Sequence, residues 1–305
     1  MTNRNTPLSE LMNTHEVAQY LRIKERKVYD LVRKKQIPCT RASGKWLFPK
    51  HLIDRWLTGD LESLGTDERV RPAPPPVIAG SHDPLLDWAL LESNCGLALM
   101  GGGSLSGLKK FVAGEVLACA MHVLDSKTGQ YNVQALFDAY DSKPPGDLVL
   151  VEWASRGQGL ILAPGNPKKI SGFADLAEKK ASIVVRQPDA GSRVLFEHLI
   201  NEAGFDAWDL NINDAPAKNE TELGLAIKGR KADAGLGLAA VARQYGLDFI
   251  PLCQERFDIL IRRRDYFEAP FQKLITLTRL DGFSMHAHEM GGYDISGRGT
   301  VHFNG

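Results

Sequence analysis

Residues 77–91, VIAGSHDPLLDWALL, decide how the larger part of this chain is read. Val77-Ile78-Ala79-Gly80 is a short apolar run of the kind a doubly covered strand needs. Ser81-His82-Asp83-Pro84 is a polar turn, and Leu85–Leu91 has the apolar density of a buried helix. The same strand, Gly/Ser turn and helix recur further on. Leu97–Met100 is a predicted strand, followed by Gly101-Gly102-Gly103-Ser104-Leu105-Ser106-Gly107 and a predicted helix at Leu108–Ala113. Val116–His122 is a third strand. Ala181–Val185 opens another unit, with Arg186–Arg193 as its turn and a helix near Val194–Ala203. Strands alternating with helices indicate an α/β fold with largely parallel sheets.

These turns carry chemistry. Free N–H groups at a helix N-terminus, joined by serine hydroxyls, make a site for an anion. Ser81, Ser104, Ser106 and Ser192 are the natural donors, and three such turns converging in one cleft could strip the water from a small tetrahedral oxyanion. Singly, each serine is also an ordinary helix cap. The glycine cluster is not a phosphate-binding P-loop, since no Gly-Lys-Ser/Thr closes it. It has no Gly-x-Gly-x-x-Gly match, and Ser106 breaks a Gly-x-Ser-x-Gly elbow around Ser104. His286 and His288 lack an HExxH context, so neither a metal site nor a catalytic residue is assigned.

The first sixty residues differ in kind. They hold twelve basic and six acidic side chains, a net +6, against 25 and 31 in the remainder, a net −6. Such asymmetry suggests a polyanion partner for the head alone. Thr14 is read as the N-cap of a helix through Leu21, with Val17, Ala18 and Leu21 inward. After a turn at Arg22-Ile23-Lys24, a second helix over Glu25–Lys34 turns Val28, Leu31 and Val32 inward. Lys24, Arg26, Lys27, Tyr29 and Arg33 stay outside, long enough to reach phosphates or base edges. Ile37–Arg41 and Lys45–Phe48 read as two strands around Ala42-Ser43-Gly44, with Arg41 and Lys45 forming a basic tip. Pro49 leads into a third helix, Lys50–Leu57, closing a small core with Leu52, Ile53, Trp56 and Leu57.

Between these parts, residues 61–76 end in Arg71-Pro72-Ala73-Pro74-Pro75-Pro76, the composition of an extended spacer. Cys39, Cys95, Cys119 and Cys253 form no CxxC pair and read as buried, reduced thiols. The N-terminus has no apolar signal region, and no apolar run approaches the roughly 20 residues that span a bilayer. A cytoplasmic protein without a membrane partner is expected.

The order helix-turn-helix, GKWLFP hairpin and HLIDRWL resembles the excisionase/MerR-like winged helix-turn-helix family over residues 11–58. That implies double-stranded DNA as partner and, since one head covers few base pairs, a homodimer or higher homo-oligomer. The segments AGSHDPLLDWAL, GGGSLSGLKKFVAGEVLACAMHVLDSKTGQYN, ASRGQGLILAPGNPKKI, VVRQPDAGSRVLFEHL, GRKADAGLGLAAVARQYGLDFIPL and GGYDISGRG resemble the PBP-like, molybdate-binding-protein-type domain of bacterial regulators. The resemblance implies a two-lobed type II periplasmic-binding-protein fold over 77–305. Crossing strands fall near Glu152–Leu160 and Phe249–Ile259, lobe one is 77–152 with 257–305, and lobe two is 160–248. It implies molybdate, tungstate or a molybdenum-cofactor-related ligand, with no covalent cofactor. Candidate contacts are Ser81, His82, Ser104 and Ser106 from lobe one, Ser192 and Arg193 from lobe two, and Tyr131, Asn132 and Gln158 at the mouth. His82 and Arg193 depart from an all-neutral oxyanion site and leave room for a phosphate-bearing ligand.

The expectation is a one-component transcriptional regulator, not an enzyme. Two alternatives stand beside it. One is a ligand-independent excisionase-like or architectural DNA binder. The other is an enzyme on a bilobed fold such as porphobilinogen deaminase or prephenate dehydratase, although neither a cofactor-bearing Cys nor an arginine-rich cleft is evident.

Overall fold

The computed structural model describes residues 11–34, 36–42, 44–57 and 73–305. The chain divides into two compact units at Ala73/Pro74. The acidic part of the spacer and Ser43 of the hairpin lie outside the described residues. The end of the proline run belongs to the second unit, where Ala98 N–H donates to Pro76 O at 3.0 Å.

The first unit has the elements β1 (Leu11–Asn13), α1 (Thr14–Tyr20), α2 (Glu25–Arg33), β2 (Thr40–Ala42), β3 (Lys45–Pro49) and α3 (Lys50–Leu57). The strands form one antiparallel sheet in the order β1-β3-β2. Two expectations are corrected here. The cap of α1 is Asn13, not Thr14. The Asn13 side chain accepts from Glu16 N–H at 3.0 Å and the Glu16 carboxylate accepts from Asn13 N–H at 2.8 Å. This reciprocal box satisfies two donors at once, which Thr14 inside the helix could not do. Second, Leu11–Asn13 is a strand, pairing Met12 with Phe48 on the free edge of β3. β2 is correspondingly short, beginning only after Pro38, which has no N–H for a ladder. The core is Met12, Val17, Ala18, Val28, Ile37, Phe48 and Ile53, with Leu21, Leu31, Val32 and Trp46 half-buried against it.

The second unit begins with β4 (Val77–Gly80), α4 (Pro84–Glu92), β5 (Ala98–Gly101), α5 (Ser104–Val112), β6 (Ala118–Met121) and α6 (Val133–Ala139). The 15-residue strand β7 (Leu148–Leu162) leads to α7 (Phe173–Glu178), β8 (Ser182–Ile183), α8 (Gly191–Glu202), β9 (Asn211–Ile212), α9 (Glu220–Lys228), β10 (Ala234–Leu238) and α10 (Ala239–Tyr245). A second 15-residue strand, β11 (Asp248–Arg262), precedes α11 (Arg263–Tyr266), α12 (Ala269–Leu277), α13 (Asp281–Met290), β12 (Tyr293–Asp294) and β13 (Val301–Asn304).

The sheet order is β5-β4-β6-β11-β7-β10-β8-β9, with β12 and β13 pairing β7. β4, β5 and β6 are mutually parallel, as are β8, β9 and β10; β7 and β11 run antiparallel to each other, β11 pairs antiparallel with β6 and β7 pairs antiparallel with β10. The result is a curled sheet in two lobes, joined where β7 and β11 pair from Leu148 to Leu162. Successive side chains enter cores on opposite faces, which is why the short strands β4, β6 and β10 are apolar throughout. Within β6, Ala118 and Ala120 enter one core with Phe257, Phe271 and Phe283, while Cys119 and Met121 enter another with Leu108 and Phe111. At the other end of β7, Leu160 and Leu162 face Phe196 and Leu236, while Ile161 faces Leu223 and Val241. Cys39 and Cys253 are half-buried rather than buried, and all four cysteines are free thiols.

Two helices start earlier than expected, α5 at Ser104 and α8 at Gly191. The glycine-serine stretch is thus largely helical first turn rather than loop. Close packing permits it, because Gly107 lies directly on the backbone of Gly80 and a Cβ would overlap Gly80 Cα. Alanine is intrinsically better than glycine inside a helix by about 1 kcal/mol. Here Gly107→Ala should instead destabilise the second unit by about 1–3 kcal/mol through overpacking. Thermal denaturation of the full chain checks this, and an unchanged or raised midpoint would contradict it.

Candidate functional site: the interlobe cleft

The N-termini of α5 and α8 meet across the cleft, backbone against backbone. Leu105 N–H donates to Asp189 O at 3.1 Å. A Cβ at Gly103 would lie 2.5 Å from Asp189 O, and one at Gly191 would overlap His122 O. Only glycine allows this approach at both positions. Ser104, the first residue of α5, is fully buried. Its hydroxyl accepts from His122 N–H at 3.1 Å and shares a hydrogen bond with Ser81 Oγ at 2.8 Å. Ser81, Ser104, His122 and the start of α8 therefore form one continuous wall.

Behind that wall lies a buried ionic network. Asp83, the N-cap of α4, accepts from Leu86 N–H at 2.8 Å, Trp153 Nε1 at 3.2 Å, Tyr293 Oη at 2.8 Å and Arg156 Nη1 at 3.0 Å. Arg156, on β7, is 1% exposed and donates its other Nη to Glu255 on β11. Glu255 also pairs with His122 Nδ1 at 2.8 Å and accepts from Gln158 Nε2 at 2.8 Å. Burial alone would raise the Glu255 carboxyl, but Arg156 and His122 hold it down at about 2. The Arg156 guanidinium stacks over Phe257, 4.2 Å from the ring centroid. In lobe two, Arg186 pairs with Glu220 at the start of α9 and donates to Lys218 O at 3.2 Å.

Several buried polar atoms at this centre have no hydrogen-bond partner: Ser192 Oγ, Gln158 Oε1, Arg156 Nε, His82 Nδ1 and Glu220 Oε2. Leaving such atoms unpaired costs about 1–3 kcal/mol each, so a partner is expected at a built site. The structure thus gathers Ser81, His82, Ser104, Gln158 and Ser192 around one cleft. His82 pairs with Asp87 at 2.7 Å; burial would lower its imidazole, yet Asp87, Asp83 and Glu220 together raise it. Ser106 is half-buried in the first turn of α5. Tyr131 is half-buried, its phenol pushed up by burial and by the Glu255 charge.

Two sequence candidates have other employment. Asn132 spends its amide on Val123 N–H (2.6 Å), Met121 O (3.2 Å) and Asp258 (2.7 Å), bracing the loop before α6 in a left-handed conformation at φ +72°. Arg193 pairs with Glu197 one turn along α8 at 2.6 Å. Asp83, His122, Arg156, Glu220 and Glu255 were missed by the sequence reading. The only available signal was a charge inside an apolar strand, as at Arg156 in ASRGQGLIL. Among the described residues no group of three or more His, Cys, Asp or Glu side chains could hold a metal, and no helix is long and apolar enough to cross a membrane.

In the first unit, Lys24, Arg26, Lys27, Tyr29 and Arg33 are all exposed on α2 and the residue before it. Arg33 is partly engaged by Asp30 at 2.9 Å. Arg41 and Lys45 are exposed beside the hairpin turn, with Arg41 over the Trp46 ring at 5.4 Å.

Fold and site define a two-lobed small-molecule-binding module carried on the same chain as a helix-turn-helix head. The chain belongs to the PBP superfamily, whose domain profile matches residues 89–279, and a helix-turn-helix domain profile matches residues 11–60. The uncharacterized protein YvgK of Bacillus subtilis (strain 168) is 24% identical over 301 residues, covering 94% of this chain and 96% of that one. A protein from the 5′ region of a Clostridium pasteurianum 2Fe-2S ferredoxin gene is 33% identical over 82 residues, 25% of this chain and 73% of that one. Among solved structures, L-phospholactate-bound PEB3 superposes with a TM-score of 0.50 at 15% identity, covering 71% of this chain and 98% of that one. A Clostridium perfringens protein assigned as a phosphate ABC transporter substrate-binding protein, solved with bound phosphate, also gives 0.50, at 13% identity and 70% and 96% coverage. These likenesses establish the fold.

Arg156→Met should cost about 3–5 kcal/mol, because it strands two buried carboxylates. Urea unfolding of the full chain reads this, and a loss below about 1 kcal/mol would show that the network is not structural. The Glu255 shift adds a pH dependence. Its folded value lies below the ordinary 4.5, so its stabilisation is complete above that value and fades as pH falls through 4.5 towards about 2. Glu255→Gln should flatten the acid limb of stability, and an unaltered limb would assign the acid sensitivity elsewhere.

Proposed function

We propose that this chain is a cytoplasmic, ligand-responsive transcription regulator. In this reading the α2 face and hairpin tip bind double-stranded DNA, the interlobe cleft binds a small oxyanion, and the protein acts as a homodimer or higher oligomer without enzymatic activity. The observation that carries the ligand half is Ser192 Oγ, buried and unpartnered in the first turn of α8, beside the Ser81–Ser104–His122 wall. A hydroxyl and free N–H groups at that helix terminus suit a tetrahedral anion. Support comes also from the two superposing structures, one holding phosphate and the other L-phospholactate. Molybdate and tungstate, the ligands implied by the sequence resemblance, belong to the same tetrahedral class.

Regulation requires that ligand bind two conformations of the chain unequally. By linkage DNA must then change ligand affinity by the factor with which ligand changes DNA affinity, about 5–150-fold in typical switches. Calorimetric titration with phosphate, molybdate, tungstate and sulfate, with and without saturating duplex DNA, tests this. At least one anion should bind, with an affinity that shifts when DNA is present. No heat from any of them would reject the oxyanion reading, and a DNA-independent affinity would reject the coupling.

The head is tested separately. Arg26→Ala with Lys27→Ala should weaken binding to duplex DNA and reduce the slope of log affinity against log salt by about 0.9 for each phosphate the variant no longer neutralises. Fluorescence anisotropy at several salt concentrations measures it, and an unchanged slope would exclude α2 as the reader.

A further inference from the structure

A cavity of about 490 Å³ lies on the flank of the second unit, where α10 meets α13. None of Ser81, Ser104, Gln158 or Ser192 lines it. Its size falls within the range of small-molecule sites, about 300–1,000 Å³. Pro84 and Met290 give it apolar surface. His286 adds an aromatic ring, held by stacking on Trp88 with centroids 4.0 Å apart and planes at 19°. Arg243 and Gln244 line it from α10, and Glu289 lines it from α13.

Arg243 and Glu289 carry opposite charges in one cavity and yet stay apart. Among the described residues neither side chain has an ion pair or a hydrogen bond. Elsewhere on this surface such neighbours close on each other, Lys110 on Glu115 at 3.7 Å and Arg193 on Glu197 at 2.6 Å. Arg243 is kept in place by packing. Its side chain rests on the bare backbone of Gly291, where a Cβ would lie 3.0 Å from Nη1 and 3.2 Å from Cδ. The guanidinium offers a planar fork of donors to a carboxylate, and the Glu289 carboxylate accepts from a cation. A simple anion drawn to Arg243 would meet Glu289, and a simple cation drawn to Glu289 would meet Arg243. A small molecule that carries both charges satisfies the two together.

We propose that this cavity is a second ligand site, outside the interlobe cleft, for a small zwitterion: an α-amino acid with an apolar side chain. Its carboxylate pairs with Arg243, with the Gln244 amide beside it, and its ammonium pairs with Glu289. Its side chain lies against Pro84, Met290 and the His286 ring, where an aromatic group also gains contact with the Met290 sulfur. The walls come from both lobes. α10 packs into the second-lobe core through Val241 and Ala242, and α13 into the first-lobe core through Phe283 and Ala287. A molecule held by both helices favours the lobe arrangement in which they meet over any in which they part. The proposal stands whether or not the cleft takes an oxyanion.

Calorimetry on the full chain with L-phenylalanine and L-leucine tests this. At least one should bind saturably. It should bind about tenfold or more tighter than its N-acetyl derivative, which lacks the ammonium, and than its amide, which lacks the carboxylate. Arg243→Gln and Glu289→Gln should each weaken it by about tenfold or more. Both side chains are exposed, so both variants should melt like the wild type. If a variant does not fold, the derivative series on the wild-type chain decides alone. The absence of saturable binding by either amino acid would overturn the inference. So would derivatives that bind as tightly as the parent, or wild-type affinity in either folded variant.

Discussion

Arg156 is held between Asp83 and Glu255, and most of the second unit's organisation can be traced from that ion triad. A guanidinium and two carboxylates are expensive to take out of water, and the expense is offset only when geometry is good and the remaining polar atoms are paired. Here Asp83 takes four donors and Glu255 takes three, from Arg156, His122 and Gln158. Arg156 and Glu255 lie on β7 and β11, the two strands both lobes share, whereas Asp83 and His122 belong to the first lobe. The triad thus ties the first lobe to the strands about which the second is placed. It also sets the electrical character of the cleft, since one guanidinium shared by two carboxylates leaves no surplus positive charge to face a ligand.

Much of this was readable in the sequence, and the reasons for the exceptions are physical. The head was recovered nearly element by element because its helices alternate strongly and its basic face is segregated. The strand β1 was not, because three residues carry no period and Leu11–Asn13 is a strand only by pairing with β3. The early starts of α5 and α8 were hidden because glycine and serine argue locally for loop, and only tertiary contact at Gly80, His122 and Asp189 makes a helical turn worth forming there.

At the site, serines 81, 104 and 192 could be picked out by residue type and turn position, whereas Gln158 came only from the family resemblance. The ionic network could not. A charged residue in a strand ordinarily marks the solvated face, so Arg156 and Glu255 look like surface alternation until both side chains are seen to be buried. Asn132 shows the opposite failure. The family resemblance implied it as a ligand contact, yet every polar atom of its amide is engaged within the first lobe.

Under the proposed function, the DNA-binding face and the ligand cleft answer to different physics, screened phosphate charge in one and desolvated dipoles in the other. The central claim is that ligand sits where buried atoms lack partners. A crystal structure of the full chain grown with phosphate addresses it most directly. The account requires the anion between the lobes, within hydrogen-bonding distance of Ser192 Oγ and Gln158 Oε1. Phosphate bound elsewhere, with those two atoms paired to each other or to water, would contradict it.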